Sequence, residues 1–207
     1  MESLLLDTAL IIHNLLSTHS QINLRLVSTH FAHNFPITNL YDTFNSSRLT
    51  NEILKSYRHV IKLSLLSNSK VTDIDHMTKL QLLSASNSSV IGDANLKNQT
   101  NMVILYISDN RRITNVNHMR QLLELRASSH IYYKDRASGI TNAGIADLRN
   151  LIILYANNND KITDINHLTK LRELYARGAC GIGYEGMAKL NELTVVRAEG
   201  NERLLAT

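Results

Sequence analysis

From residue 37 onward, apolar residues return in one pattern: an apolar residue, another three positions later, and a third two positions after that. The complete copies are Val60/Leu63/Leu65, Leu80/Leu83/Ala85, Met102/Leu105/Ile107, Leu122/Leu125/Ala127, Leu151/Leu154/Ala156, Leu171/Leu174/Ala176 and Leu193/Val196/Ala198. Their first positions are separated by 20, 22, 20, 29, 20 and 22 residues, and the step of 29 is a step of 22 with an insertion. Ile37 and Leu40 predict a worn first copy. A period this constant predicts a repeat protein.

The last two apolar positions of each copy are separated by one residue that is usually polar. Alternation of this kind predicts a short strand with its apolar side chains on one face. No single copy has enough apolar surface to form a core, so successive strands must stack as one parallel sheet.

Two repeat lengths alternate, so the true unit is a pair of 42 residues, visible when 139–159 is set above 181–201. Short repeats begin at Val71, Ile113 and Ile162 and read (V/I)-T-(D/N)-(I/V)-(D/N)-H-(M/L). Long repeats begin at Leu49, Ile91, Ile140 and Ile182, leave room for a short helix, and end in Asn68, Asn110, Asn159 and Asn201. The short repeats have Ser88, His130 and Ala179 in that slot.

These repeats resemble leucine-rich repeats, and the short ones resemble the internalin-like class. The resemblance implies an α/β solenoid with a curved parallel sheet on the concave side and short helices and turns on the convex side. It also implies that the asparagine side chain binds backbone groups in the turn after the strand, here in alternate repeats only. The expected function is recognition of a protein on the concave face.

Residues 1–36 predict a helical N-terminal cap, and 37–207 the solenoid. A cap covers the first exposed core layer of a solenoid. The same segment resembles an F-box, although Leu5 stands where that motif has proline. The F-box resemblance implies docking to the adaptor of a cullin-type ubiquitin ligase, with the repeats as substrate receptor, through Leu4, Leu5, Asp7, Ile12 and Leu16. Combinations of a degenerate F-box with repeats are common in large DNA viruses and their protist hosts. The cap and the F-box both stay open as interpretations of residues 1–36.

One row of outward-facing strand positions contains Tyr106, Arg126, Tyr155, Tyr175 and Arg197. Neighbouring strands lie about 4.8 Å apart, so these side chains form a continuous row. Tyrosine and arginine are enriched at binding hot spots. We therefore predict a binding face, which Arg177 in the next row extends. Glu124 and Glu173 make the face mixed in charge, which favours a protein partner over a polyanion. The alternative is that these side chains only stabilise the sheet.

The insertion at 131–138 follows the strand of Leu125 and contains Tyr132 and Tyr133. Exposed loops on rigid scaffolds often carry binding function, and we treat this aromatic pair as a second candidate contact for a protein partner. The alternative is a tolerated surface insertion, since lengthening a loop costs little free energy.

Composition excludes several other functions. The formal charge of +4 comes from 22 bases and 18 acids without a basic run, so nucleic acid is not expected. The one cysteine fits a reducing compartment, and the apolar stretch 4–16 is too short and polar for a membrane span. We expect a cytoplasmic protein, in a host cytoplasm if viral. No catalytic motif is present, so we expect no enzyme and no cofactor.

Two patterns imitate ligand sites. The segment Gly181-Ile-Gly-Tyr-Glu-Gly186 matches a dinucleotide-binding fingerprint, but it is in register with 139–144 of the preceding long repeat. His76, His118 and His167 occupy one slot of alternate repeats, roughly 10 Å apart. Zinc ligands lie about 2.1 Å from the ion, so we expect turn-stabilising or solvated histidines and no metal. Cys180 is expected to be a buried thiol.

The last residues, 202–207, begin another short repeat, with Leu204 in the slot of Ile162. No polar capping unit follows them in this sequence. An uncovered core edge with unpaired strand groups invites a neighbour. We therefore expect self-association through this end, most simply as a homodimer. A structural, self-associating repeat protein whose N-terminal helices only cap the stack is the alternative to partner recognition.

Overall fold

Eight short strands form one parallel sheet in chain order. The structure is a computed structural model and describes residues 20–21, 37–41, 46–87, 90–130 and 137–205. The strands are β1 (Asn39–Leu40), β2 (Lys62–Ser64), β3 (Leu82–Ser84), β4 (Ile104–Tyr106), β5 (Glu124–Arg126), β6 (Ile153–Tyr155), β7 (Glu173–Tyr175) and β8 (Val195–Arg197). The chain is an α/β leucine-rich repeat solenoid, as the resemblance of its repeats implied.

The middle residues of the strands pair in register from one end of the sheet to the other. Leu83 pairs with Leu105, and Leu154 pairs with Leu174. The apolar positions of the repeats from Val60 to Ala176 are buried without measurable exposure. Ile37 and Leu40 are buried in the same core, which confirms the predicted worn first copy. Together they form one continuous core, so each strand buries its apolar face on its neighbours.

The long repeats cross the convex side in one helical turn each, as their extra length predicted. These turns are Asn51–Leu54, Asp93–Leu96, Asn142–Ile145 (a 3-10 turn) and Tyr184–Met187; further turns lie at Ser46–Arg48 and Glu202–Leu205. The Thr50 side chain caps the first of them by accepting from the Ile53 backbone N–H. The short repeats that begin at Val71, Ile113 and Ile162 cross the same side without a helix in their described residues.

The asparagines of the long repeats form a buried ladder. The Asn110 amide donates to the carbonyl oxygens of Ala85 and Ile91 at 3.0 and 3.1 Å, and its oxygen accepts from the Arg112 N–H at 2.9 Å. Asn159 and Asn201 bind equivalent groups. Each side chain thus joins two repeats, and this confirms the role predicted for the alternate asparagines.

Short repeats end differently, in a way that the sequence analysis missed. In the asparagine slot, His130 and Ala179 are exposed. A small side chain two residues before the next repeat is buried instead. It is Ser138 ahead of Ile140 and Cys180 ahead of Ile182. The Ser138 hydroxyl accepts from the Ile140 N–H at 3.3 Å. Burial also raises the pKa of the Cys180 thiol, as expected for a buried cysteine.

The last repeat departs from the expected core. Val196 is 41% exposed, because no further strand covers β8 within the described residues. Leu204 is buried as predicted, but in a helical turn. The cap, the F-box-like positions and the domain boundary at 36 lie outside the described residues, apart from helical Ser20 and Gln21. Within the described ranges no helix is long and apolar enough to span a membrane.

We predict that Asn110→Ala lowers the free energy of unfolding by about 2–4 kcal/mol, because two carbonyls and one N–H lose their partner in a buried site. Asn191→Ala, at an exposed asparagine whose side chain makes no hydrogen bond within the described residues, should change it by less than about 0.5 kcal/mol. Urea unfolding followed by circular dichroism measures both. Equal effects of the two substitutions would contradict the ladder.

Candidate functional site

The residue that follows the core-facing apolar residue of each strand lies on the other face of the sheet, and these residues form a row that we call the central row. The central row consists of Tyr41, Ser64, Ser84, Tyr106, Arg126, Tyr155, Tyr175 and Arg197. Direct register pairs join Tyr106 to Arg126, Arg126 to Tyr155, Tyr155 to Tyr175, and Tyr175 to Arg197. The structure therefore brings together the five predicted side chains.

Four of these side chains stack as one column, which we call the stacked column. The guanidinium carbon of Arg126 lies 4.1 Å from the centre of the Tyr106 ring and 4.6 Å from that of Tyr155. The Tyr155 and Tyr175 rings lie parallel, with centres 4.0 Å apart and planes at 6°. Cation–π and aromatic contacts of this kind contribute about 0.5–1.5 kcal/mol each. The column is therefore ordered before any partner arrives.

Two carboxylates beside the central row hold the stacked column in place. Arg126 Nε donates to Glu124 Oε1 at 2.8 Å, and Tyr175 Oη donates to Glu173 Oε2 at 3.2 Å. Burial, with help from Glu124, raises the pKa of Tyr106. The side-chain hydrogen bond with Tyr155, followed by burial and Glu173, raises the pKa of Tyr175 to about 12. Both phenols are therefore protonated near neutral pH and keep their donor.

Arg126 is oriented with part of its donor set facing outward. Its Nε is bound by Glu124, while the side chain remains 42% exposed against 15% for that glutamate. An arginine has five N–H donors, so four remain on the two Nη atoms. Within the described residues these four have no protein acceptor. The exposed edge of a fixed guanidinium suits a carbonyl or carboxylate oxygen of a partner.

The C-terminal part of the face has a different arrangement. Arg177 forms an ion pair with Glu199, whose pKa this hydrogen bond lowers. Arg197 is exposed and, within the described part of the chain, stacks on no ring. Of the predicted arginines, Arg126 is thus stacked, Arg177 is paired with an acid, and Arg197 extends from the end of the row.

Tyr41 is a contact residue that the sequence analysis missed. Its ring meets the Tyr106 ring edge to face, with centres 6.4 Å apart. The two residues are three strands apart, and only Ser64 and Ser84 lie between them in the central row. These small side chains leave room for the rings to meet, and Ser84 is 5% exposed. The signal was available, because Tyr41 directly follows the buried Leu40 of the first strand.

The histidine slot stabilises the stacking of repeats. The Nε2 atoms of His76, His118 and His167 lie 3.0, 2.7 and 2.9 Å from the carbonyl oxygens of Leu54, Leu96 and Ile145. Each of these carbonyls belongs to the last residue of a convex helical turn and already accepts the backbone N–H three residues later, so the histidine binds its second lone pair. This geometry confirms the turn-stabilising interpretation.

The glycines of the imitated fingerprint serve close packing between repeats. A Cβ atom on Gly186 would lie 1.9 Å from the carbonyl oxygen of Thr163, and one on Gly144 would lie 2.0 Å from that of Thr114. A Cβ on Gly181 would lie 2.5 Å from another backbone oxygen. Hence the outer glycines of the motif are required by the preceding repeat. The predicted contacts at Tyr132 and Tyr133 lie outside the described residues.

The fold is shared with several solved structures. Internalin C2 of Listeria monocytogenes is 22% identical, with a TM-score of 0.60, over 83% of this chain and 76% of that one. Internalin F of the same organism is 21% identical, with a TM-score of 0.52, over 81% and 54%. A TLR13–ssRNA13 complex is 17% identical, with a TM-score of 0.52, over 84% and 28%. No family model and no curated protein matches the chain. At these identities the likeness shows the leucine-rich repeat fold.

We predict that Gly186→Ala destabilises the protein by about 2 kcal/mol or more, because its Cβ would overlap a backbone oxygen that cannot move alone. Gly183→Ala, at the middle glycine of the motif, should cost less than about 1 kcal/mol, since the nearest atoms, the Cβ and the carbonyl oxygen of Arg203, lie 3.3 Å away and need to move by only a few tenths of an ångström. Thermal unfolding of both variants measures the difference. A larger effect at Gly183 would contradict the packing explanation.

Proposed function

We propose that the concave face binds a protein partner and that the stacked column is the centre of this interface. The observation that carries the proposal is the fixed row Tyr106–Arg126–Tyr155–Tyr175, whose rings and guanidinium are ordered by their own contacts. Large, rigid side chains with polar tips provide most of the binding energy in known interfaces.

Side chains that are already ordered in the free protein favour affinity for a partner. Immobilising a flexible side chain on binding costs about 0.5–1.5 kcal/mol, and arginine is among the most flexible. In this protein Arg126 is already held between two rings and bound to Glu124. Binding of a partner would therefore not have to supply the free energy of fixing Arg126, because folding has already fixed it.

The chemistry of the column favours an acceptor-rich partner segment. Glu124 and Glu173 are both occupied by donors of the same face. The Nη donors of Arg126 and the exposed Arg197 are the groups left to bind. Main-chain carbonyls and carboxylates of a polypeptide supply the matching oxygens. The five predicted residues lie on five neighbouring strands. A row of this length suits an extended segment of the partner that lies across those strands.

Three finer hypotheses rest on the sequence alone. Docking of Leu4, Leu5, Asp7, Ile12 and Leu16 to a ubiquitin-ligase adaptor stays a prediction, as does the contact through Tyr132 and Tyr133. Self-association stays a prediction that light scattering can test. The alternative function, a structural repeat protein with no partner on the face, makes the stacked column a stabilising element only.

For the concave face, we expect the double variant Tyr155→Ala/Tyr175→Ala to lose the proteins that the unmodified full chain captures from lysate, as identified by mass spectrometry. Tyr184→Ala is the matched control, because Tyr184 is 47% exposed on a convex helical turn. The control should capture the same set as the unmodified chain.

Arg126→Lys completes that experiment. Lysine keeps the charge but lacks the planar fork, so capture should fall while the fold remains. Circular dichroism confirms folding of each variant. Capture that is unchanged by both concave-face variants would leave the column with a structural role only.

For the N-terminus, we expect a pull-down with the ligase adaptor to retain the unmodified full chain and to lose Ile12→Asp/Leu16→Asp. The aspartates would place charge on the apolar stripe that the F-box resemblance assigns to docking. Leu66→Asp, on the concave face, is the control. An adaptor that retains none of the three proteins would favour the cap.

A further inference from the structure

The segments that lead into the strands have a large excess of positive charge. They are 55–61, 78–81, 97–103, 120–123, 146–152, 169–172 and 188–194, each ending where β2 to β8 begin. Their basic residues are Lys55, Arg58, Lys79, Lys97, Arg120, Arg149, Lys170, Arg172 and Lys189. Their acidic residues are Asp147 and Glu192 only. We call this edge of the solenoid the basic flank.

The register of the sheet makes these segments neighbours. Because all strands are parallel and in chain order, their starting ends lie along one edge. Contacts between repeats show the closeness directly. Lys170 Nζ donates to Asn150 Oδ1 at 2.8 Å, and Asn150 Nδ2 donates to the Arg120 carbonyl oxygen at 2.9 Å. Lys79 Nζ lies 3.2 Å from His59 Nδ1 in the preceding repeat.

At the middle of the basic flank lies an open cleft of about 300 Å³ lined by Arg120, Asp147, Arg149 and Asn150. Both arginines are exposed, and neither forms an ion pair within the described residues. Lys170 extends this cluster through its bond to Asn150. Three cations therefore surround one amide that both adjoining repeats hold in place.

Internal acids neutralise little of the flank. Lys97 lies 3.9 Å from Asp75, and Arg172 lies 3.6 Å from Glu192, both as exposed pairs. Exposed pairs of this kind contribute about 0–1 kcal/mol, so they are easily exchanged for a partner's carboxylates. The opposite edge, where the strands end, is more evenly mixed: acids at Asp109, Asp160, Glu199 and Glu202 accompany bases at Lys70, Arg111, Arg112, Lys161, Arg177 and Arg203.

We propose that the basic flank binds an acidic protein segment, with Arg120, Arg149 and Lys170 as its centre. This surface is separate from the concave face, so the proposal does not depend on the function proposed above. Separate cations on successive repeats match the separate carboxylates of a polypeptide, and charge complementarity directs such encounters.

A nucleic acid fits the flank less well. Proteins that bind single strands combine a basic groove with aromatic side chains on which bases stack. The one Tyr, Phe or Trp in the seven segments is Tyr57, which is half-buried against the core.

The test uses the full chain and a fluorescein-labelled oligo-glutamate peptide, with fluorescence anisotropy as the measurement. We expect binding at low salt that weakens toward an ionic strength of about 0.15 M. Arg120→Glu/Arg149→Glu/Lys170→Glu should weaken it by at least ~tenfold, because three attractive contacts become repulsive. The control Lys70→Glu/Arg111→Glu/Arg112→Glu has the same net charge and should change it by less than ~twofold.

Three results would overturn the proposal: no peptide binding at low salt, equal losses in the two variants, or tighter binding of an oligothymidylate of matching charge. The second result would show a general charge effect, and the third would assign the flank to nucleic acid. Urea unfolding checks that both variants are folded. If the glutamate variant is not, Arg120→Gln/Arg149→Gln/Lys170→Gln repeats the test with neutral side chains of similar length.

Discussion

Backbone hydrogen bonds between parallel strands fix the position of every other group in this protein. The N–H groups of Ala85, Ile107 and Ala127 each donate at 2.8 Å to a carbonyl of the following strand. They hold each repeat in register with the next, so that residues one period apart become neighbours. A slip by one residue would exchange the two faces, turning the tyrosines inward and the leucines outward. The buried core and the outward row therefore depend on the same bonds.

The features that depend only on period and alternation could be predicted from the sequence. They include the pairing of Leu154 with Leu174 and the row of tyrosines and arginines. The role of the asparagine ladder was implied by the resemblance to leucine-rich repeats. Features that depend on side-chain conformation could not. The period places Arg126 between Tyr106 and Tyr155, but it does not decide whether the guanidinium extends into solvent or lies between the rings. The structure shows that Glu124 helps to decide it, by binding Nε from the same strand.

The close approach of backbone atoms between repeats could not be predicted from the sequence either. In the sequence, Gly186 resembles part of a ligand motif. The sequence does not show that the Thr163 carbonyl lies where a side chain on Gly186 would be. The basic flank was missed for another reason. Its cations occur singly, separated by other residues, and a search for basic runs finds none. Stacking gathers them at one edge, as it gathers the central row. In a solenoid, charge must be counted by slot and not along the chain.

The register of the strands decides which side chains share a face, and scalar couplings across hydrogen bonds measure it. In a perdeuterated, ¹³C,¹⁵N-labelled sample, the Ala127 amide nitrogen should couple to the Tyr155 carbonyl carbon. The Ala156 nitrogen should couple to that of Tyr175. These two couplings would establish that Arg126, Tyr155 and Tyr175 lie side by side. Coupling of either nitrogen to the carbonyl of a different residue would shift the strands and separate the row, which would contradict the account.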